Sequence, residues 1–264
     1  MATDHIQADS VAALYDIHGN LPALEAVMHE VRTLSVDLLL FGGDLVWGPW
    51  SREVVELIRS TDKRVVIRGN ADREVAGRLD ASDGLDEEVA AVNLWSSDQL
   101  SVEQREWLVQ LPEEAIIWID GIGETLFCHG SPRSDEEILT PATSDERLTA
   151  ALRGVTTSTV VCGHTHIQFE REINGARVVN AGSVGLPYED DPGAYWVLLG
   201  PDVSLRRTAY DVEKAAALMR TTKCPNVDEM FATTIERPPN RDETIEHFES
   251  IAQQDTLHGY NFSD

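Results

Sequence analysis

Lysine is almost missing from this sequence. Lys63, Lys214 and Lys223 are the only three, and 21 basic residues face 46 acidic ones for a formal net charge of −25. That balance argues against a broad electrostatic grip on nucleic-acid backbone or on an anionic membrane, so no stable nucleic-acid or membrane partner is expected. Cysteine is scarce too. Cys128, Cys162 and Cys224 form no C-x-x-C pair, which argues against a thiolate metal site. They read instead as small buried thiols of a reducing compartment. No run of about 18 apolar residues is present, which excludes a membrane-spanning helix of ordinary length. The polar start of the chain, with Asp4 and Asp9, lacks the basic end and apolar middle of a secretory signal, so a cytoplasmic location is the default expectation.

What is present suffices for a sizeable core, since 42% of the 264 residues are hydrophobic. Short β-like runs at 11–15, 36–41 and 64–67 alternate with helical spacing at 21–34 and 53–58. This order predicts an α/β sheet, and Pro22 suits the first turn of its helix. Residues 72–111 read as two or three helices. Runs at 115–119 and 124–128, then 167–173 and 177–179, read as hairpins around Asp120-Gly121-Ile122-Gly123 and Asn174-Gly175. A helix near 145–152, strands at 159–162, 195–199 and 203–210, and a helix from 211 to 220 complete the expected core. Residues 224–240, with three prolines, are expected to include a loop before a last helix at 243–252. The expectation is two packed sheets with helices outside.

The polar residues that stand out fall where apolar strands stop, at the carboxyl ends that bind ligands in open α/β sheets. Asp16-Ile17-His18-Gly19-Asn20, Gly43-Asp44, Gly69-Asn70-Ala71-Asp72, Cys128-His129-Gly130 and Gly163-His164-Thr165-His166 each follow such a run. Taken singly they are weak, because a strand-end aspartate is commonly a cap or turn former and a lone histidine commonly structural. His164 and His166 are a stronger signal, since i and i+2 of an extended segment face one side. Together they bring four imidazoles, carboxylates and an amide from five strand ends. That mixed N/O set suits Mn²⁺, Fe²⁺ or Zn²⁺.

The order Asp-x-His, Gly-Asp, Gly-Asn, His, Gly-His-x-His resembles the calcineurin-like metallophosphoesterase superfamily. The likeness continues through Asn180-Ala181-Gly182-Ser183-Val184-Gly185-Leu186-Pro187, and the wording around Asp16 looks like the small bacterial and archaeal phosphodiesterase-like branch. The resemblance implies an αββα fold: an α/β two-sheet sandwich flanked by helices, spanning residues 1–221, with a helical cap insert at about 72–111 and a 222–264 extension of loop plus helix. It implies two divalent ions, Mn²⁺ foremost in vitro. Asp16, His18, His166 and a bridging Asp44 would hold one; Asp44, Asn70, His129 and His164 would hold the other. Asp44, Asn70 and His129 would then form the catalytic group, and water activated between the ions would attack a small phosphate ester such as a nucleotide or other diester. Asn20, within the first motif, is a candidate for orienting phosphate.

Some features are read from the residues alone. Arg73, like Arg68, flanks the Gly-Asn motif and is a candidate phosphate partner. Trp47, Trp50, Trp95 and Trp107 could stack a nucleobase, although fixing a helical cap onto the sandwich is the simpler role. The acidic run 80–88 reads as a solvated face.

Two departures from the family pattern matter. Ala71 stands where many members carry the histidine that protonates the leaving oxygen. Gly43-Asp44-Leu45-Val46-Trp47-Gly48 lacks the Gly-Asp-x-x-Asp-Arg-Gly form, which argues against a phosphoprotein phosphatase. A non-catalytic protein-binding module on the same scaffold is the other alternative.

Overall fold

The computed structural model describes residues 6–257. Eleven strands among them form two mixed sheets: β1 (Ile6–Ala8), β2 (Val11–Leu14), β3 (Leu38–Gly42), β4 (Arg64–Ile67), β5 (Glu114–Ile119), β6 (Gly123–Cys128), β7 (Thr159–Cys162), β8 (Phe169–Ile173), β9 (Ala176–Asn180), β10 (Ala194–Leu199) and β11 (Val203–Thr208). One sheet runs β11-β10-β2-β3-β4 and the other β1-β5-β6-β7-β9-β8. The helices are α1 (Leu21–Leu34), α2 (Ser51–Ser60), α3 (Asn70–Gly77), α4 (Glu87–Gln99), α5 (Val102–Val109), α6 (Asp145–Ala151), α7 (Val212–Met219), α8 (Thr233–Glu236) and α9 (Arg241–Leu257).

The strands at the centre are buried on both faces, and their period of two sorts them into separate layers. In β2, Val11 and Ala13 enter the layer between the sheets, with Leu40, Phe127, Val161, Val179 and Val197. Ala12 and Leu14 face the other way, toward Leu24, Val27, Val54 and Ile58 of α1 and α2. Beyond the second sheet, Leu126, Val160 and Val178 pack on Leu148 and Ala151 of α6. The result is the expected sandwich between helices.

Most element positions match the sequence pattern, with three differences. The polar N-terminal segment contributes β1, which pairs parallel with β5 at a sheet edge. Residues 224–240 are not simply a loop: a π-helical turn at Asp228–Ala232 runs into α8, and its Phe231 and Ile235 are buried against α7. The last helix is longer than its periodicity indicated, starting at Arg241.

β2, β3 and β4 are mutually parallel, as are β6 and β7. Their carboxyl ends therefore open onto one rim of the sandwich, and the polar motifs leave from there.

Candidate functional site

Asp16 and His18 leave β2, Asp44 leaves β3, Asn70 begins α3 after β4, His129 follows β6, and His164 and His166 follow β7. Six of them assemble into two clusters, Asp16–His18–His166 and Asp44–His129–His164, and within each the potential ligand atoms lie within 4.8 Å of one another; Asn70 adds a buried, unpartnered Oδ1. The clusters adjoin. Asp44 Oδ2 lies 3.3 Å from His129 Nε2 and 3.7 Å from His18 Nε2, so it faces both. Asp16 Oδ1 lies 3.4 Å from His166 Nε2 and 3.7 Å from His129 Nε2.

The backbone fixes each group for this purpose. One oxygen of each aspartate is locked by a main-chain donor: His164 N–H donates to Asp16 Oδ2 at 2.9 Å, and Ala71 N–H to Asp44 Oδ1 at 2.8 Å. His129 Nδ1 meets the Gly42 carbonyl at 2.9 Å and His166 Nδ1 that of Leu186 at 2.7 Å. A carbonyl only accepts, so each Nδ1 carries a proton and each Nε2 is the nitrogen turned into the site. Asp16, His18, Asp44, His164 and His166 all adopt positive φ, between 47° and 68°. That conformation is uncommon outside glycine, and its recurrence at five neighbouring residues marks backbone strain gathered at one site. Close approach dictates Gly69: a Cβ there would sit 2.2 Å from Asp44 Oδ1.

Imidazole nitrogens facing carboxylate oxygens in a buried space need positive charge between them, as a proton or a metal ion. Six buried side-chain atoms among the described residues lack a hydrogen-bond partner, and four belong here: Asp16 Oδ1, His18 Nδ1, Asn70 Oδ1 and His129 Nε2. That concentration, with the nitrogen and oxygen donor set, fits divalent metal. The electrostatics agree. Burial alone would lower His129, but Asp44 and then Asp16 raise it to about 10. Burial would raise both aspartates, yet the surrounding imidazoles hold them below the ordinary carboxylate value, His166 leading at Asp16 and His129 at Asp44. His18 is lowered to about 4 by burial and then by His166. The carboxylates thus draw positive charge into the pocket.

Other expectations need revision. His164 and His166 do not converge by strand alternation; both sit in a left-handed turn, and each joins a different cluster. Asn20 is committed elsewhere. Its Oδ1 caps α1 by accepting from Ala23 N–H, its Nδ2 donates to the Gly185 carbonyl and the Tyr210 hydroxyl, and it is fully buried. Arg73 lines a cleft of about 460 Å³ beside His129, with its guanidinium paired to Asp135 at 3.1 Å and Glu136 at 2.5 Å. Arg68 is paired with Glu113. Trp47, Trp50 and Trp95 pack around the α7–α8 cluster, and Trp107 lies against the α1–α2 core.

The sequence reading missed several supports. Asp72, fully buried, accepts from the N–H groups of Leu45, Val46 and Gly69, tying the Asp44 loop to α3. Ser183 donates to the Asp16 carbonyl at 2.7 Å, and Asn180 donates to the Gly163 carbonyl at 2.6 Å. Their polar character in an apolar stretch was the available signal, but turn formation explains such residues equally well.

Comparison with known proteins agrees with this geometry. A metallophosphoesterase from Sphaerobacter thermophilus is similar in structure, with a TM-score of 0.70 and 29% identity over 87% of this chain and 99% of its own. A hypothetical protein from Pyrococcus horikoshii shares the fold, with a TM-score of 0.73 and 24% identity over 84% of this chain and 97% of its own. An uncharacterized protein of Methanocaldococcus jannaschii is 28% identical over 226 residues, 78% of this chain and 89% of that protein. The model of the calcineurin-like phosphoesterase superfamily domain matches residues 10–199, a stretch that contains the six clustered residues and Asn70. The chain therefore belongs to the calcineurin-like phosphoesterase superfamily.

Proposed function

We propose that this protein hydrolyses a small phosphate ester, a phosphodiester or nucleotide foremost, with two divalent metal ions held side by side. The observation that carries the reading is the pair of adjoining histidine–aspartate clusters drawn from the ends of β2, β3, β6 and β7, where four of the six buried unpartnered side-chain atoms collect. Asp16, His18 and His166 would hold one ion and Asn70, His129 and His164 the other, with Asp44 facing both. Such a pair supplies Lewis acidity that lowers the pKa of a water and neutralises charge on a phosphoryl group during in-line displacement.

The chain's own residues set the remaining terms. The Gly42 and Leu186 carbonyls hold Nδ1 of His129 and His166 and so keep each ring oriented with Nε2 toward the site. Ala71 N–H and His164 N–H hold Asp44 and Asp16 so that one oxygen of each stays turned inward. Proton donation to the leaving oxygen is where the site is spare. Ala71 offers only a methyl, and the Asp72 carboxylate is spent on three backbone donors. General acid catalysis typically contributes about 10²–10⁴-fold, so esters with good leaving groups are favoured.

The test is hydrolysis of bis-p-nitrophenyl phosphate by chelator-stripped protein, before and after Mn²⁺ is restored, beside Asp44→Asn. Activity that returns with metal in the wild type alone is expected, together with rates that fall steeply as the leaving alcohol becomes less acidic. Metal-independent hydrolysis, or undiminished activity in Asp44→Asn, removes the reading.

A further inference from the structure

His164 and His166 belong to different clusters, yet both stand in the single turn 163–166, with φ of 68° and 58°. A turn held in that conformation needs support from its surroundings. Asn180 supplies some from within the sandwich. The rest arrives from two flanking segments. On one flank, the Thr165 hydroxyl donates to the Leu139 carbonyl at 3.0 Å. On the other, Leu186 O engages His166 Nδ1, Tyr188 N–H donates to the His166 carbonyl at 3.2 Å, and the Tyr188 ring stacks on the His166 ring at 4.8 Å.

Both flanks are fastened to α9. Thr140 and Thr143 hydroxyls donate to Glu249 Oε1 at 2.6 and 2.8 Å, and Arg147 reaches Glu249 Oε2 at 2.6 Å while also donating to the Ile138 carbonyl. That fixes the segment carrying Leu139. Phe248 lies 6.1 Å from Tyr188, ring centre to ring centre, and Arg241 pairs with Glu189 at 3.0 Å, which fixes the segment carrying Leu186. Consecutive residues of one helix thus grip the two segments that hold the turn, and that helix lies outside residues 10–199, the stretch matched by the superfamily model.

We infer that α9 is a brace for the two-histidine turn, with Phe248 and Glu249 as positioning residues that set metal affinity in both clusters at once. The inference rests on the metal-site reading above. Groups that orient metal ligands typically contribute about 10–100-fold to metal affinity, and the same range is expected here.

Titration calorimetry of chelator-stripped protein with Mn²⁺ tests it, on wild type, Glu249→Ala, Phe248→Ala, and a control. Glu246→Ala, the control, removes an exposed carboxylate from the same helix. Glu249→Ala and Phe248→Ala are expected to weaken Mn²⁺ binding about tenfold or more with native circular dichroism, while the control binds as wild type. Should Glu249→Ala not fold, Glu249→Gln and Phe248→Leu keep the volume and carry the same comparison. Wild-type affinity in the brace variants, or equal weakening in Glu246→Ala, overturns the brace alone. A wild type that binds no Mn²⁺ overturns the metal-site reading, and the brace with it.

Discussion

Asp16 and Asp44 solve one problem in the same way: each gives one oxygen to a backbone N–H and turns the other toward imidazole nitrogens. Small displacements of either should therefore be costly. Gly69→Ala would put a methyl carbon 2.2 Å from Asp44 Oδ1 and 2.6 Å from its backbone nitrogen, a conflict no side-chain rotation relieves. Roughly 10²-fold loss of kcat/KM on a diester is expected, and steady-state kinetics near the wild-type value would contradict it. The thiols make a contrasting prediction. Burial pushes Cys162 and Cys224 up to about 12 and Cys128 well above the ordinary thiol value. Below those values the sulfur is the unreactive thiol, so maleimide or iodoacetamide at about pH 8 should label none in native protein and all three after denaturation. The converging residues were legible because an apolar run that ends in glycine and a ligand-type side chain has few other uses when it recurs five times. Asn20 is a different case, because a helix cap and a ligand-orienting amide look alike in sequence, and only the structure shows the three bonds that occupy its side chain.

At the scale of elements, α3 does more than follow β4. Its first residue is Asn70, and its third, Asp72, accepts three backbone N–H groups and so anchors the loop that carries Asp44. Asp72→Ala would leave those donors buried without partners, and a loss of about 3 kcal/mol or more in unfolding free energy is expected by denaturant titration. A loss within about 0.5 kcal/mol would show the anchor to be dispensable. Strands such as β7 and the two hairpins could be read directly, since continuous apolar runs and Asn-Gly-type turns are local signals. β1 could not: Ile6–Ala8 becomes a strand only through parallel pairing with β5, more than 100 positions away. Residues 228–236 were obscured differently, because prolines on either side suggested a loop while burial of Phe231 and Ile235 decided for helical turns. The 163–166 turn combined both difficulties, its i, i+2 spacing correct and its conformation not that of a strand.

For the whole molecule, the excess of 46 acidic over 21 basic residues opposes compaction. Salt screens that repulsion, so the melting temperature should rise between low ionic strength and about 1 M NaCl, where the Debye length falls to about 3 Å. A melting temperature that falls over that range would show that the surface ion pairs outweigh the repulsion. Among the described residues no helix is long and apolar enough to cross a membrane. The layered sandwich places six clustered residues on one rim, and the last described helix reaches back toward that rim. What the account claims above all is that the two clusters hold two neighbouring ions. Electron paramagnetic resonance of stripped protein titrated with Mn²⁺ reads this directly. The account predicts that the second equivalent produces an exchange-coupled pair, absent in Asp44→Asn. Uncoupled Mn²⁺ at every loading, or saturation at a single equivalent in the wild type, would contradict it.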